Sequence, residues 1–137
     1  MPTSIHKVLV VSDRVYFLQR CAELAGDNAI CVTGEVAHED RETMLDEIRF
    51  GKKELLFGTQ AIFSEGISLD DLSCLILGTP VNNEPLLTQL IGRVIRQKEG
   101  KKDPVVIDIQ LKGNTARRQA SNRVGYYMKQ GYDIREL

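Results

Sequence analysis

The sequence predicts an α/β fold, a three-layer sandwich with a mainly parallel central sheet flanked by helices. Three observations carry this. Five short runs, 8–11, 29–32, 55–57, 75–77 and 105–109, are apolar almost throughout rather than alternating, as strands buried on both faces must be. Segments between them carry apolar residues at helical spacing, which is how a parallel sheet is connected. The runs end in small or polar residues, Ser12, Thr33-Gly34, Gly58-Thr59 and Gly78-Thr79. In such sheets ligands bind at the carboxyl ends of the strands, although each of these residues is also an ordinary turn former.

The elements follow in order. Val8-Leu9-Val10-Val11 is the first strand, with Ser12-Asp13 as a cap for a helix whose Val15, Leu18, Cys21, Ala22 and Ala25 share one side up to Gly26. Ala29 to Val32 is the second strand. Glu39 and Asp40 open a second helix, with Met44, Leu45 and Ile48 inward and Gly51 as its end. Leu55 to Phe57 is the third strand. Ala61 to Ser64 predicts a short helical turn and Glu65 to Ser68 a loop. Leu75 to Leu77 forms the fourth strand, and the Asn82-Asn83-Glu84-Pro85 cluster starts the next helix with an Asn as cap. Gly100 to Asp103 is a charged turn before the fifth strand, Val105 to Ile109. The last helix spans about Thr115 to Gln130, with Ala116, Ala120, Val124, Tyr127 and Met128 on its inner side. Tyr132 to Ile134 is expected as a short edge strand.

At 137 residues the chain is long enough for one domain with a proper core, spanning 1–137, with residues 1–6 as a flexible leader. Its 42% hydrophobic and 27% charged residues are those of a soluble globular protein. No apolar run reaches membrane-spanning length and no secretory signal opens the chain, so a cytoplasmic location is expected. Cys21, Cys31 and Cys74 are widely spaced among apolar residues and are expected as reduced buried thiols. His6 and His38 have no partner at ligand spacing, and no metal site is assigned. A net charge of −1 excludes a chain that coats nucleic acid by bulk electrostatics. Basic residues nevertheless crowd 93–123, and Arg117, Arg118 and Arg123 on the last helix are either a nucleic-acid surface or a solvated face.

The helix after Pro85 carries the chemistry. Leu86, Leu87, Leu90, Ile91, Val94 and Ile95 make an apolar stripe, and at about 100° per residue Gln89, Arg93 and Arg96 gather opposite it. Gly92, also off the stripe, leaves room for a close approach. Two guanidiniums on one rigid face suit a phosphate clamp; taken alone, the same face is an ordinary solvated one.

With those pieces in order, the chain resembles the second RecA-like (C-terminal) domain of superfamily 2 helicases and translocases, over nearly its whole length. Gln89-x-x-Gly92-Arg93-x-x-Arg96 resembles motif VI, and Gly58 to Leu69 resembles motif V. Val8 to Arg14 resembles motif IV, and the stretch from Gly34 through Arg41 to Gly51 resembles the region after it, where an Arg precedes the helix. Tyr126 to Tyr132 is similar to the end of phage and repair-type members. The resemblance implies a RecA-like sandwich that faces, across a cleft, ATP and Mg²⁺ held mainly by a partner N-terminal RecA-like ATPase domain, in the same or a separate chain. It implies that Arg93 and Arg96 meet the γ-phosphate, one as an arginine finger, with Gln89 fixing their geometry. Glu65, Gly66 and Ser68 would line the nucleotide side. Ser12, Arg14, Thr33, Gly34 and Thr59 would contact a nucleic-acid backbone, DNA sooner than RNA. If the chain is phage-encoded, its place is the host cytoplasm or nucleoid. The chain departs from the pattern at Ser68, where many relatives carry Asp. Serine cannot pair with a guanidinium, so no ribose contact is assigned.

No G-x-x-x-x-G-K-[ST] and no early acidic Mg²⁺ box occur in the sequence. The expectation is therefore the C-terminal half of a motor that does not hydrolyse ATP alone. The alternative is a non-catalytic RecA-like module for docking or nucleic-acid binding.

Overall fold

The computed structural model describes residues 6–60, 72–95 and 103–136. In chain order these form β1 (Lys7–Val11), α1 (Val15–Ala25), a 3-10 turn (Gly26–Asn28), β2 (Ala29–Val32), α2 (His38–Arg49) and β3 (Leu55–Gly58). Then follow β4 (Leu72–Leu77), α3 (Glu84–Val94), β5 (Val105–Asp108) and α4 (Asn114–Lys129). The five strands lie in the order β2-β3-β1-β4-β5, and every pairing among them is parallel.

Side chains of a strand alternate between faces, and the two cores follow that rule. Leu9 and Val11 of β1, Ile30 and Val32 of β2, Leu56 of β3 and Leu75 and Leu77 of β4 join one core. It is closed by Leu45 and Ile48 of α2, Leu87, Leu90, Ile91 and Val94 of α3, and Tyr126 and Tyr127 of α4. Val10 of β1 and Phe57 of β3 belong to the other, where Leu18 of α1 packs with Cys21, Ala22 and Cys31. Helices on both faces explain why the strands carry no polar alternation.

The chain order positions the site. From β1 the chain reaches the far strand β2, returns to β3, crosses β1 to β4 and goes outward to β5. Connections therefore leave β1 and β4 in opposite directions. The crevice beyond their carboxyl ends, at Ser12-Asp13 and Gly78-Thr79, is the topological switch point of the sheet.

Several expectations need correction. Ser12-Asp13 does not cap α1: its N-cap is Arg14, without a side-chain bond, and Ser12 Oγ accepts from Arg14 N at 3.1 Å one step earlier. β4 begins at Leu72, because buried Ser73 continues the strand while its hydroxyl bonds His6 Nδ1 at 2.7 Å. That bond also ties down His6, which the sequence places in the leader; residues 1–5 lie outside the described residues. β5 stops at Asp108, whose carboxylate turns to partners on α4. Tyr132 to Ile134 is no strand, since Tyr132 N donates to Tyr127 O at 3.1 Å and its ring packs on the core. Met128 is exposed; Arg123 and Tyr126 take the inner side of α4. The helical turn at 61–64, the loop at 65–68 and most of the turn at 100–103 lie outside the described residues.

All three cysteines are free, with Cys74 buried and Cys21 and Cys31 half-buried. Burial raises the thiol pKa of Cys31 and Cys74, which keeps both protonated and unreactive.

Two glycines separate a tight place from an open one. A Cβ at Gly78 would meet Val11 O at 3.2 Å and the Phe17 ring at 3.3 Å, whereas one at Gly92 meets nothing within 4 Å. Gly78→Ala should lose about 1–3 kcal/mol of stability in urea denaturation, because a backbone oxygen of the central strand cannot yield. Gly92→Ala should gain about 0.5–1 kcal/mol, the usual return for replacing a mid-helix glycine.

Candidate functional site

The helix that presents the proposed phosphate ligands is defined from its first residue. The Asn83 side chain accepts from Leu86 N at 3.0 Å, Pro85 occupies the first turn, and Glu84 sits at the positive end of the helix dipole. Leu87, Leu90, Ile91 and Val94 are buried, each contributing about 1.5–3 kcal/mol. Gln89 is exposed on the opposite side, and Arg93 is half-buried in the last turn. These two are four residues apart and hence neighbours on the helix surface. Gly92 lies on the other side of Gln89 from Arg93, with open space where a Cβ would stand. The helix ends at Val94 with Ile95 as cap. Arg96 lies outside the described residues, as do Glu65, Gly66 and Ser68.

The strand ends divide into two kinds. Ser12 and Thr33 are only 0% and 2% exposed. Ser12 Oγ accepts from Arg14 N and lies 3.3 Å from Thr79 Oγ1, which also reaches Asp13 Oδ1 at 3.2 Å. Thr33 Oγ1 accepts from Glu35 N at 3.4 Å. Both hydroxyls are buried and hydrogen-bonded within the turns at the strand ends. Arg14 and Gly34 are exposed and Thr59 is half-buried at the same edge of the sheet. Arg41 does not precede a helix; it lies in the first turn of α2. From there Nε donates to Val36 O at 2.8 Å and an outer guanidinium nitrogen to Gly34 O at 3.3 Å, which fixes the loop that exposes Gly34.

The sequence reading missed a buried ionic cluster. Arg123 is 4% exposed. Its Nε donates to Asp108 Oδ2 at 2.8 Å and one outer nitrogen to Oδ1 at 3.0 Å, a bidentate pair, while the other nitrogen donates to Asn82 Oδ1 at 2.7 Å. Tyr127 Oη donates to Asp108 Oδ2 at 2.6 Å. Burial, reinforced by Asp108, pushes the Tyr127 phenol well above its ordinary pKa. The cluster thus ties the end of β5, the loop entering α3 and α4 together. Arg123 is therefore not part of a basic surface, whereas Arg117 and Arg118 are exposed. The available signal was a carboxylate closing an apolar strand, with an Arg among the apolar positions of the next helix.

The parallel sheet and the core-anchored helix carrying Gln89-x-x-Gly92-Arg93 can now be set beside known proteins. The model of the helicase conserved C-terminal domain matches residues 2–98. This chain belongs to that family. It is similar to the probable helicase D10 of Escherichia phage T5, at 45% identity over 130 residues, covering 93% of this chain and 29% of D10. It is also similar to the putative ATP-dependent RNA helicase L396 of Acanthamoeba polyphaga mimivirus, at 33% identity over 61% of this chain and 16% of that protein. Among solved structures, a DEAD box protein from the hyperthermophile Methanococcus jannaschii superposes with a TM-score of 0.72 at 23% identity, over 96% of this chain and 35% of that one. The helicase C-terminal domain thus spans less than a third of the length of these curated relatives. No described helix is long and apolar enough to cross a membrane.

The ionic cluster makes two predictions for stability. Arg123→Ala leaves Asp108 partly buried without its cation and should cost about 3–5 kcal/mol by urea denaturation. Tyr127 is neutral in the fold, while an unfolded tyrosine ionises near pH 10. Its contribution is therefore complete below about pH 10 and is lost as pH rises above that value. Tyr127→Phe should flatten the decline of stability with pH on the alkaline side.

Proposed function

We propose that this domain is the C-terminal motor half of an ATP-dependent superfamily 2 helicase or translocase, completed by an N-terminal RecA-like ATPase domain. The observation that carries the reading is α3, where four buried residues hold a face displaying Gln89, Gly92 and Arg93 outward, with open space above Gly92. Such a face fits a group held by another body and brought against it. Arg93 and Arg96 would then neutralise charge developing on a transferred phosphoryl group, and Gln89 would orient them. ATP and Mg²⁺ would be held mainly by the partner, since this sequence has no phosphate cradle of its own. Glu65, Gly66 and Ser68 remain assigned to the nucleotide side by their place in motif V.

At the carboxyl ends of the strands, Arg14, Thr59 and the exposed backbone of Gly34 would grip a nucleic-acid backbone, with Ser12 and Thr33 shaping the turns beneath them. Backbone contacts serve DNA and RNA alike. One relative carries an RNA helicase name, and the strand proposed here is DNA or RNA.

The test uses phage T5 D10 with its matching 130-residue segment replaced by this chain. ATP turnover should rise with single-stranded DNA or RNA, and stimulation should weaken as salt increases. Arg93→Ala should reduce turnover by roughly 10³-fold or more. Gly92→Ala should also impair turnover although it stabilises the isolated domain, because the added methyl occupies the approach to Arg93. Full turnover in Arg93→Ala would remove the arginine-finger role and leave the docking-module reading.

A further inference from the structure

The apolar stripe of α3 fixes which face is buried, but leucine, isoleucine and valine side chains alone leave some freedom of rotation about the helix axis. At about 100° per residue, Thr88 falls on one flank of the stripe, Arg93 on the other, and Gln89 and Gly92 opposite. The Thr88 flank is held: its hydroxyl hydrogen-bonds Tyr126 Oη of α4. The start of the same helix is held too, since Asn82, next to the capping Asn83, accepts from Arg123 of α4. Arg123 is itself locked by both oxygens of Asp108 on β5. Tyr126 and Arg123 are three residues apart on the buried side of α4, so one helix face holds both Thr88 on α3 and the loop residue Asn82 that leads into it.

We propose that α4 is a rotational latch for α3, with Thr88, Tyr126, Asn82 and Arg123 as positioning residues that aim Gln89 and Arg93 across the cleft. The inference rests on the phosphate-facing reading of α3. Buried ion pairs contribute little net stability after desolvation, whereas a polar contact has one geometry, which smooth apolar packing lacks. The magnitude matters: at the outer radius of a helix, about 5–6 Å, a 10° rotation moves a side chain by about 1 Å. A displacement of about 1 Å at a reacting centre can cost up to roughly 100-fold in rate.

The experiment uses Thr88→Val and Tyr126→Phe, which remove the latch hydroxyls while leaving the Arg123–Asp108 pair intact, and Thr88→Ser as the conservative rescue. Residual dipolar couplings of backbone amides in the isotopically labelled chain report the orientation of α3 relative to the sheet. In both latch variants α3 couplings should change while sheet couplings stay, and Thr88→Ser should restore them. In the D10 chimera, turnover number should fall about 10-fold with KM for ATP within about twofold, and Thr88→Ser should recover it. Unchanged α3 couplings, or changes that serine does not reverse, overturn the latch. Changed couplings with full turnover, in a chimera that Arg93→Ala inactivates, overturn the positioning role. Full turnover in Arg93→Ala as well overturns instead the phosphate-facing reading, and the latch is then judged on the couplings alone.

Discussion

Burial of the sheet on both faces is the constraint on which the rest of this structure depends. Leu9 and Val11 face one layer of helices and Val10 the other, so the central strand has no polar side and cannot tolerate a shift of one residue. Every helix must then supply an apolar stripe, and every functional group must leave the sheet at its ends or ride on the outer face of a helix. Of the residues proposed to act, Gln89 and Arg93 take the second route and Arg14, Gly34 and Thr59 the first.

Polar groups admitted to the interior are consistent with that constraint because they are fully partnered. Among the described residues no buried side-chain nitrogen or oxygen lacks a hydrogen bond. Ser12, Thr33 and Ser73 spend their hydroxyls on turns and on His6, and Arg123 spends its guanidinium on Asp108 and Asn82. The same chemistry that makes an arginine a good phosphate ligand makes it a good internal clamp, and only its surroundings distinguish the two uses. Arg123 shows the second use, enclosed beneath α4, while the first is what is proposed for Arg93.

The two helices differ in what surrounds their polar groups: α4 closes over Arg123, while α3 leaves open space at Gly92. The core stripe lies on the inner side of α3 and the ionic cluster ties the loop that enters it to β5 and α4, while Gln89 is exposed on the opposite side. The chain spans under a third of the length of the longer relatives it matches.

The sequence by itself determined the sheet class, four of the strand positions to within a residue or so, an Asn cap for α3, and the grouping of Gln89 with Arg93. These follow from periodicity and local hydrogen bonding, which act over a few residues and leave their pattern in the chain. Tertiary structure decided the rest. It placed Ser12 and Thr33 inside, extended β4 through Ser73, turned Met128 outward and put Arg123 in the core. Three of those outcomes involve a partner distant in sequence: Thr79 for Ser12, His6 for Ser73, and Asp108 with Asn82 for Arg123. A residue's own spacing states which side of a helix it occupies, but a charge is welcome on the buried side only when the fold has brought it a counter-charge. That juxtaposition exists only in three dimensions.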